Sequence, residues 1–383
     1  MVRARLRWSA LCVLLAAATV LCGVLPVRTH LQAMAVMRTV AGQPVPWMAT
    51  EVTEPVTQKN LTIPLFSGSG DQQVRARIYA PVHGASAPAM VIFHGVHHLG
   101  IDEPRLMSFA AAMASCGIRV LTPELPDIKD YRVSERSVET IGGSVKWFAA
   151  EAGAPVGVMG LSFSGGLALV AAGEPQYHPY FKFVMAIGSQ DSMARVTDYY
   201  RTGSDVRPDG TVELLPAHEY GPLVLEYEYL EDFVPPQDLE PVRAVLRAHL
   251  YEDRAAEARA SLGLNDIQKR ETLELMDATS EATHARIKAV AVKHAAEMSG
   301  LSPRGRLDGL ATPVYLLHGQ ADNINPSAET LWMAHELRQQ DLKAMLVSPV
   351  LSHLNLDGAK PGAMDNWRLL HFFAGVIGAA ETR

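Results

Sequence analysis

Apolar residues along this chain arrive in compact runs, and the segments between the runs carry apolar residues at helical spacing. The first two runs, NLTIPLF and QQVRARIYAP, are separated by the turn residues SGSGD, and the second alternates apolar with polar positions as a half-buried strand does. Together they predict an opening hairpin. PAMVIFHG, a buried run ending in glycine, is followed by the helical stretch EPRLMSFAAAMASCG and by a second buried run, IRVLTPEL. The alternation continues through SERSVETIGGSVKWFAAEAG, PVGVMGLS, GGLALVAAG and FKFVMAIGS. Strand and helix in alternation give parallel pairing. The expected fold class is therefore α/β, a doubly wound and mostly parallel sheet with active residues at the carboxyl ends of its strands.

Between about residues 191 and 310 this rhythm stops. A piece rich in Gly, Pro and Tyr (YYRTGSDVRPDG to YEYLEDFVPPQD) leads into long helical stretches, PVRAVLRAHLYEDRAAEARASL and NDIQKRETLELMDATSEATHARIKAVAVKHAAEM, which predict a helical cap inserted between two late strands. The sheet resumes with ATPVYLLHG, the helix PSAETLWMAHELRQQ, the strand KAMLVSPV and a last helix from about Asp365 to Ala380. The expected division is an N-terminal segment over 1–35, a linker over 36–58 with no clear period, a core over 59–190 and 311–383, and the cap over 191–310.

Arg3, Arg5 and Arg7 precede WSALCVLLAAATVLCGVLPV, an uncharged apolar run near membrane-spanning length. The positive flank keeps the N-terminus in the cytoplasm and sends the remainder outward, so the run reads as a transmembrane signal-anchor. A cleaved signal peptide is the alternative, because Ala33 and Ala35 form a small-x-small site before Val36. Both readings put the folded part outside the cytoplasm, membrane-anchored in one case and secreted in the other.

Hydrophobic residues at 48% and charged residues at 20% describe a folded globular chain. A formal net charge of -7 offers no basic footprint for polyphosphate, so no nucleic-acid partner is expected. Of the three cysteines, Cys12 and Cys22 lie in the apolar run, which leaves Cys116 alone as a small buried hydrophobe with no disulfide framework.

The sharpest motif is VGVMGLSFSGGLALV, a buried strand, then Gly160-Leu161-Ser162-Phe163-Ser164-Gly165-Gly166, then an apolar helix. It resembles a nucleophile elbow, a sharp strand-to-helix turn that presents a serine at the top of a sheet with small residues two positions to either side. Serine at 164 replaces the more usual second glycine. Ser164 is a second candidate nucleophile, with Ser162 and Gly166 as its flanks. There is no Gly-x-Gly-x-x-Gly, and no Lys-Ser or Lys-Thr pair closes the loop, which disfavours nucleotide binding.

With these residues in hand the chain resembles the α/β-hydrolase family, the serine esterases and lipases with an inserted cap, over roughly residues 60–190 and 311–380. Three further pieces fall in that family's order of nucleophile, acid and histidine. His318-Gly319-Gln320-Ala321-Asp322-Asn323-Ile324-Asn325-Pro326 resembles the acid turn and puts Asp322 in the acid's place. His353 lies between the last strand and last helix, where the family's base stands; His318 and His371 are poorly placed for that role. Asp191, after FKFVMAIGS, is a reserve acid. The resemblance implies an oxyanion hole from the backbone N–H groups of Val96, after Phe93-His94-Gly95, and Phe163. His97, His98, Asp102 and Glu103 crowd the loop after Val96 but lack metal-ligand spacing, and the implied chemistry needs no metal or cofactor.

The expectation is hydrolysis of a small-molecule or lipid-like carboxylic ester through an acyl-enzyme on Ser162, with His353 as base and Asp322 orienting it. An acyltransferase or peptidase would use the same three residues, and a non-catalytic binding protein on this scaffold is the alternative outside enzymology.

Overall fold

The computed structural model describes residues 27–67, 70–84, 87–353 and 361–382, with the side chains of 66–71 left undescribed. The apolar run expected to anchor the chain lies, except for its last residue, outside the described residues. Among those residues no helix is long and apolar enough to cross a membrane.

The chain enters on helix α1 (Val27–Val40) and then forms strands β1 (Val56–Ser67) and β2 (Gly70–Pro81). There follow β3 (Ala89–Phe93), α2 (Pro104–Ser115), β4 (Arg119–Pro123), α3 (Glu135–Ala152), β5 (Val156–Leu161), α4 (Phe163–Gly173) and β6 (Phe181–Ile187). After the insertion come β9 (Val314–Gly319), α12 (Ala328–Glu336), β10 (Leu342–Ser348) and α13 (Ala363–Glu381). The eight sheet strands lie in the order β1-β2-β4-β3-β5-β6-β9-β10. β2 pairs antiparallel with β1 and β4, and every other neighbour in the sheet is parallel.

Alternation along the strands sorts side chains into two cores. Val91 and Phe93 of β3, Val158 of β5 and Ala186 of β6 face one side, with α3, α4 and the insertion. Met90, Ile92, Met159 and Met185 face the other, with α1, α2 and α13. Because β3, β5 and β6 are covered on both faces, they read as apolar runs, whereas the edge strand β10 is half exposed.

Two expectations are corrected here. The stretch from residue 36, read as the start of a linker, begins inside α1, which packs on α2 and α13. Its buried face includes Thr29, His30, Gln32, Ala33 and Ala35, so no stripe of large apolar residues marked the helix. Gln32 donates from its side-chain amide to the carbonyl of Cys116 at 2.9 Å, and a ring nitrogen of His30 lies 3.0 Å from one of His371 on α13.

The insertion is also more broken than its composition suggested. It holds α5 (Met193–Thr202), a two-stranded hairpin of β7 (Ser204–Val206) and β8 (Val212–Leu214), α6 (Tyr220–Glu228), α7 (Leu239–Leu250), α8 (Arg254–Leu262), α9 (Asp266–Leu275), α10 (Glu281–Lys293) and α11 (Ala295–Gly300). The two long stretches break where a short polar side chain caps a new helix: Asp253 before α8 and Ser280 before α10. Asn265 likewise starts α9 with a reciprocal capping box to Gln268. Leu223, Leu246 and Ile287 of the insertion share the core on the face of the sheet that carries α3 and α4.

Candidate active site

Ser162 occupies the turn between the central strand β5 and α4, with φ 54° and ψ -134°. Such a conformation in a residue with a Cβ costs about 1–3 kcal/mol and persists only where its surroundings impose it. Here they do: a Cβ on Gly160 would come within 2.4 Å of Gly165 Cα, so only glycine lets β5 and α4 meet this closely. The turn leaves the Ser162 side chain at the helix N-terminus, the positive end of the α4 dipole.

Asp322 follows β9 and His353 follows β10, so the parallel neighbours β5, β6, β9 and β10 bring three separate loops to one edge. Ser162 Oγ lies 3.0 Å from His353 Nε2, and His353 Nδ1 lies 2.6 Å from Asp322 Oδ2. With the carboxylate ionised, Nδ1 carries the proton and Nε2 is left to accept from the serine. Gly319 makes the approach possible, since a Cβ there would fall 1.8 Å from the carbonyl oxygen of Ser352. The chain has the α/β-hydrolase fold.

No protein-family model matches the chain, and no curated protein does. Among solved structures the chain is similar to brefeldin A esterase, a bacterial homologue of human hormone-sensitive lipase, at 15% identity and TM-score 0.47, over 91% of this chain and 84% of that one. It is also similar to a hyperthermophilic esterase from Pyrobaculum calidifontis, at 16% identity and TM-score 0.45, over 91% and 88% of the two chains. An acylaminoacyl peptidase from Pyrococcus horikoshii is similar at 13% identity and TM-score 0.41, over 80% of this chain and 38% of the peptidase.

In this α/β-hydrolase fold Asp322 is fully buried. Burial opposes its ionised form, but the charge of His353 and hydrogen bonds from His318 and His353 outweigh burial and hold its pKa below the ordinary carboxylate value. Its other oxygen, Oδ1, accepts from the backbone N–H groups of Ile324 and Asn325, both at 3.0 Å. His318 does not reach the serine. Its Nε2 lies 3.3 Å from Asp322 Oδ2 and 2.8 Å from the carbonyl of Asn325, and Asp322 raises its pKa against the pull of burial.

Ser164, the second candidate nucleophile, points away from His353: its hydroxyl donates to the carbonyl of His94 at 2.6 Å. The hydroxyl thus ties the turn to the loop after β3, which accounts for serine where glycine is more usual. His94 braces the same loop, accepting at Nε2 from the N–H of Leu125 at 2.9 Å and donating from Nδ1 to the carbonyl of Gly95 at 2.8 Å. Burial lowers its pKa to about 4, so it stays neutral in this double role. Asp191, the reserve acid, is paired with Arg195 at 2.6 Å; burial and then Glu329 push its pKa up to about 7.

Val96 and Phe163 both line the cavity onto which Ser162 and His353 open, and no acceptor among the described residues takes either backbone N–H. Tyr220 of α6 donates its hydroxyl to the carbonyl of Val96 at 3.0 Å. Asn325 donates to the carbonyl of Gly188 at 2.9 Å, with its amide nitrogen 3.5 Å from Ser162 Oγ. Sequence reasoning singled out neither. Asn325 stood inside the quoted acid turn, whereas nothing in the sequence links Tyr220 to Val96. In the loop after Val96, Asp102 pairs with Arg75 and Arg77 at 2.7 and 2.6 Å, and Glu103 caps α2. The cavity has a volume of about 430 Å³, within the usual range for a small-molecule pocket.

Proposed function

We propose that this chain is a serine hydrolase that cleaves a carboxylic ester. The observation that carries the proposal is the continuous relay from Asp322 through His353 to Ser162, which ends at 3.0 Å on a serine held in strained geometry beside a cavity. Ser162 Oγ attacks the ester carbonyl as His353 Nε2 takes its proton, and Asp322 stabilises the imidazolium that forms. The negative oxygen of the tetrahedral intermediate is received by the N–H groups of Val96 and Phe163, donors of a kind worth roughly 3–4 kcal/mol each. His353 then returns the proton to the departing alcohol, and a water repeats the sequence on the acyl-enzyme. Arg3, Arg5 and Arg7 ahead of the apolar run support work outside the cytoplasm.

The test is labelling of the protein with a fluorophosphonate, followed by peptide mass mapping, with Ser162→Ala and Ser164→Ala in parallel. The adduct is expected on Ser162 and is lost in Ser162→Ala alone. A folded protein that takes no label at Ser162 would leave a ligand-binding role as the better account.

A further inference from the structure

The cavity beside Ser162 has two unlike sides. On one, Val36, Met37 and Val40 of α1 stand with Leu106 and Phe109 of α2 and Phe373 of α13. These side chains belong to, or pack against, the core on one face of the sheet. On the other side stand His97, His218, Tyr220 and Glu252, beside the apolar Val96 and Leu250, from the loop after β3 and from the insertion. Ser162 and His353 open onto the same space.

We propose that α1 is part of the substrate site, and that Val36, Met37 and Val40 set the length of a hydrocarbon arm of the ester; this rests on the serine-hydrolase reading above. The substrate class is then an ester with one apolar arm, aliphatic or aromatic, and one polar arm toward His97, His218 and Glu252.

Three observations support this. Positions 36, 37 and 40 fall on one face of a helix, so α1 presents a continuous apolar strip to the cavity. The helix is a fixed wall, anchored by the buried Gln32 amide on Cys116, by His30 against His371 and by stacking of His30 on Trp367 at 5.4 Å between ring centroids. Apolar side chains facing an open cavity gain from a hydrocarbon that displaces water, at about fourfold in binding per buried methylene.

The experiment uses the full chain and two ester series. One varies the acyl group of p-nitrophenyl esters from acetate to dodecanoate, and the other varies the alcohol of alkyl acetates over the same lengths. In the series whose varied arm enters the apolar side, kcat/KM is expected to rise by up to about fourfold per methylene until that side is full. Met37→Trp narrows the strip and Val40→Asn makes it polar; each is expected to lower the ratio of kcat/KM for the eight-carbon ester to that for the two-carbon ester at least tenfold. Val40 sits at the partly exposed end of α1, so its variant tests the idea should Met37→Trp fail to fold. Leu262→Trp, on the exposed face of α8, is the control and leaves the ratio where it was. Flat length profiles in both series, or ratios that neither α1 variant moves in a wild type that hydrolyses and labels at Ser162, would overturn the role of α1 alone. A wild type that neither labels nor hydrolyses would overturn the hydrolase reading, and this inference with it.

Discussion

The two sides of the cavity are built on different principles. The α1, α2 and α13 side is the rim of a hydrophobic core, and its side chains hold position because they are packed. The opposite side is a loop held by hydrogen bonds: Ser164 and Tyr220 to the carbonyls of His94 and Val96, and Leu125 to the His94 ring. A packed wall discriminates by shape and tolerates small shifts. A hydrogen-bonded loop aims backbone donors at one point, and each tether lost moves them. The first kind suits substrate selection, the second suits transition-state stabilisation.

Substitutions can separate the two. The largest effect belongs to the relay between them: Asp322→Asn keeps the shape of both sides but loses the charge that fixes the His353 tautomer, so kcat is expected to fall about 10⁴-fold with fluorophosphonate labelling slowed in step. Stopped-flow acylation rates check this. Next, Ser164→Ala cuts the tether from the turn to the loop, and kcat should drop about ten- to a hundredfold with KM little changed, a smaller loss than deletion of an oxyanion donor. Equal losses in kcat and substrate affinity would show that the loop serves binding instead. Tyr220→Phe removes one hydrogen bond, worth about 1 kcal/mol, and a fall of about fivefold in kcat is expected from steady-state rates.

On the packed side, a chain that begins at Val36 lacks the half of α1 that buries Thr29, His30, Gln32, Ala33 and Ala35. Compared by calorimetry with a chain that begins at Val27, it should melt several degrees lower. The smallest effect is a pH dependence behind the hydrogen-bonded side. Burial pushes the Glu228 carboxyl on α6 from an ordinary 4.5 up to about 8. Between those values the folded protein keeps a proton that the unfolded chain releases, so this group's stabilisation is complete below about pH 4.5 and is lost as pH rises through 8. Glu228→Gln should therefore raise the melting temperature by a few degrees at pH 8 and leave it nearly unchanged at pH 4.5.

The sheet was legible because β3 to β6 and β9 are short apolar runs bounded by turn residues, as strands covered on both faces are, and because β2 alternates apolar with polar positions. Ser162 and Asp322 were legible because each stands just past a strand end in a recognisable turn, and His353 because it lies between the last strand and the last helix; the structure brings the three within hydrogen-bonding distance. The α1 wall was not, since its buried face mixes Thr, His, Gln and Ala with a single Val and so carries no strong period. Tyr220 was invisible for a different reason: its partner Val96 lies 124 positions away, and one hydroxyl on a backbone carbonyl leaves no pattern in the chain. The breaks at Asp253 and Ser280 were written in the sequence as capping residues, but the helix-forming composition on either side masked them, whereas Asn265 already opened the second helical stretch.

The contact between His30 and His371 spans 341 positions of chain. A wall closed by so distant a pair is complete only once both α1 and α13 have been made, although α1 can dock earlier on α2 through Gln32 and Cys116. Ser162 and His353 are 191 positions apart and meet at one edge of the sheet, past β5 and β10, with β6 and β9 between those strands. In the order of synthesis, then, Ser162, Asp322 and His353 are all made before α13, and the apolar wall is completed by a helix that follows all three.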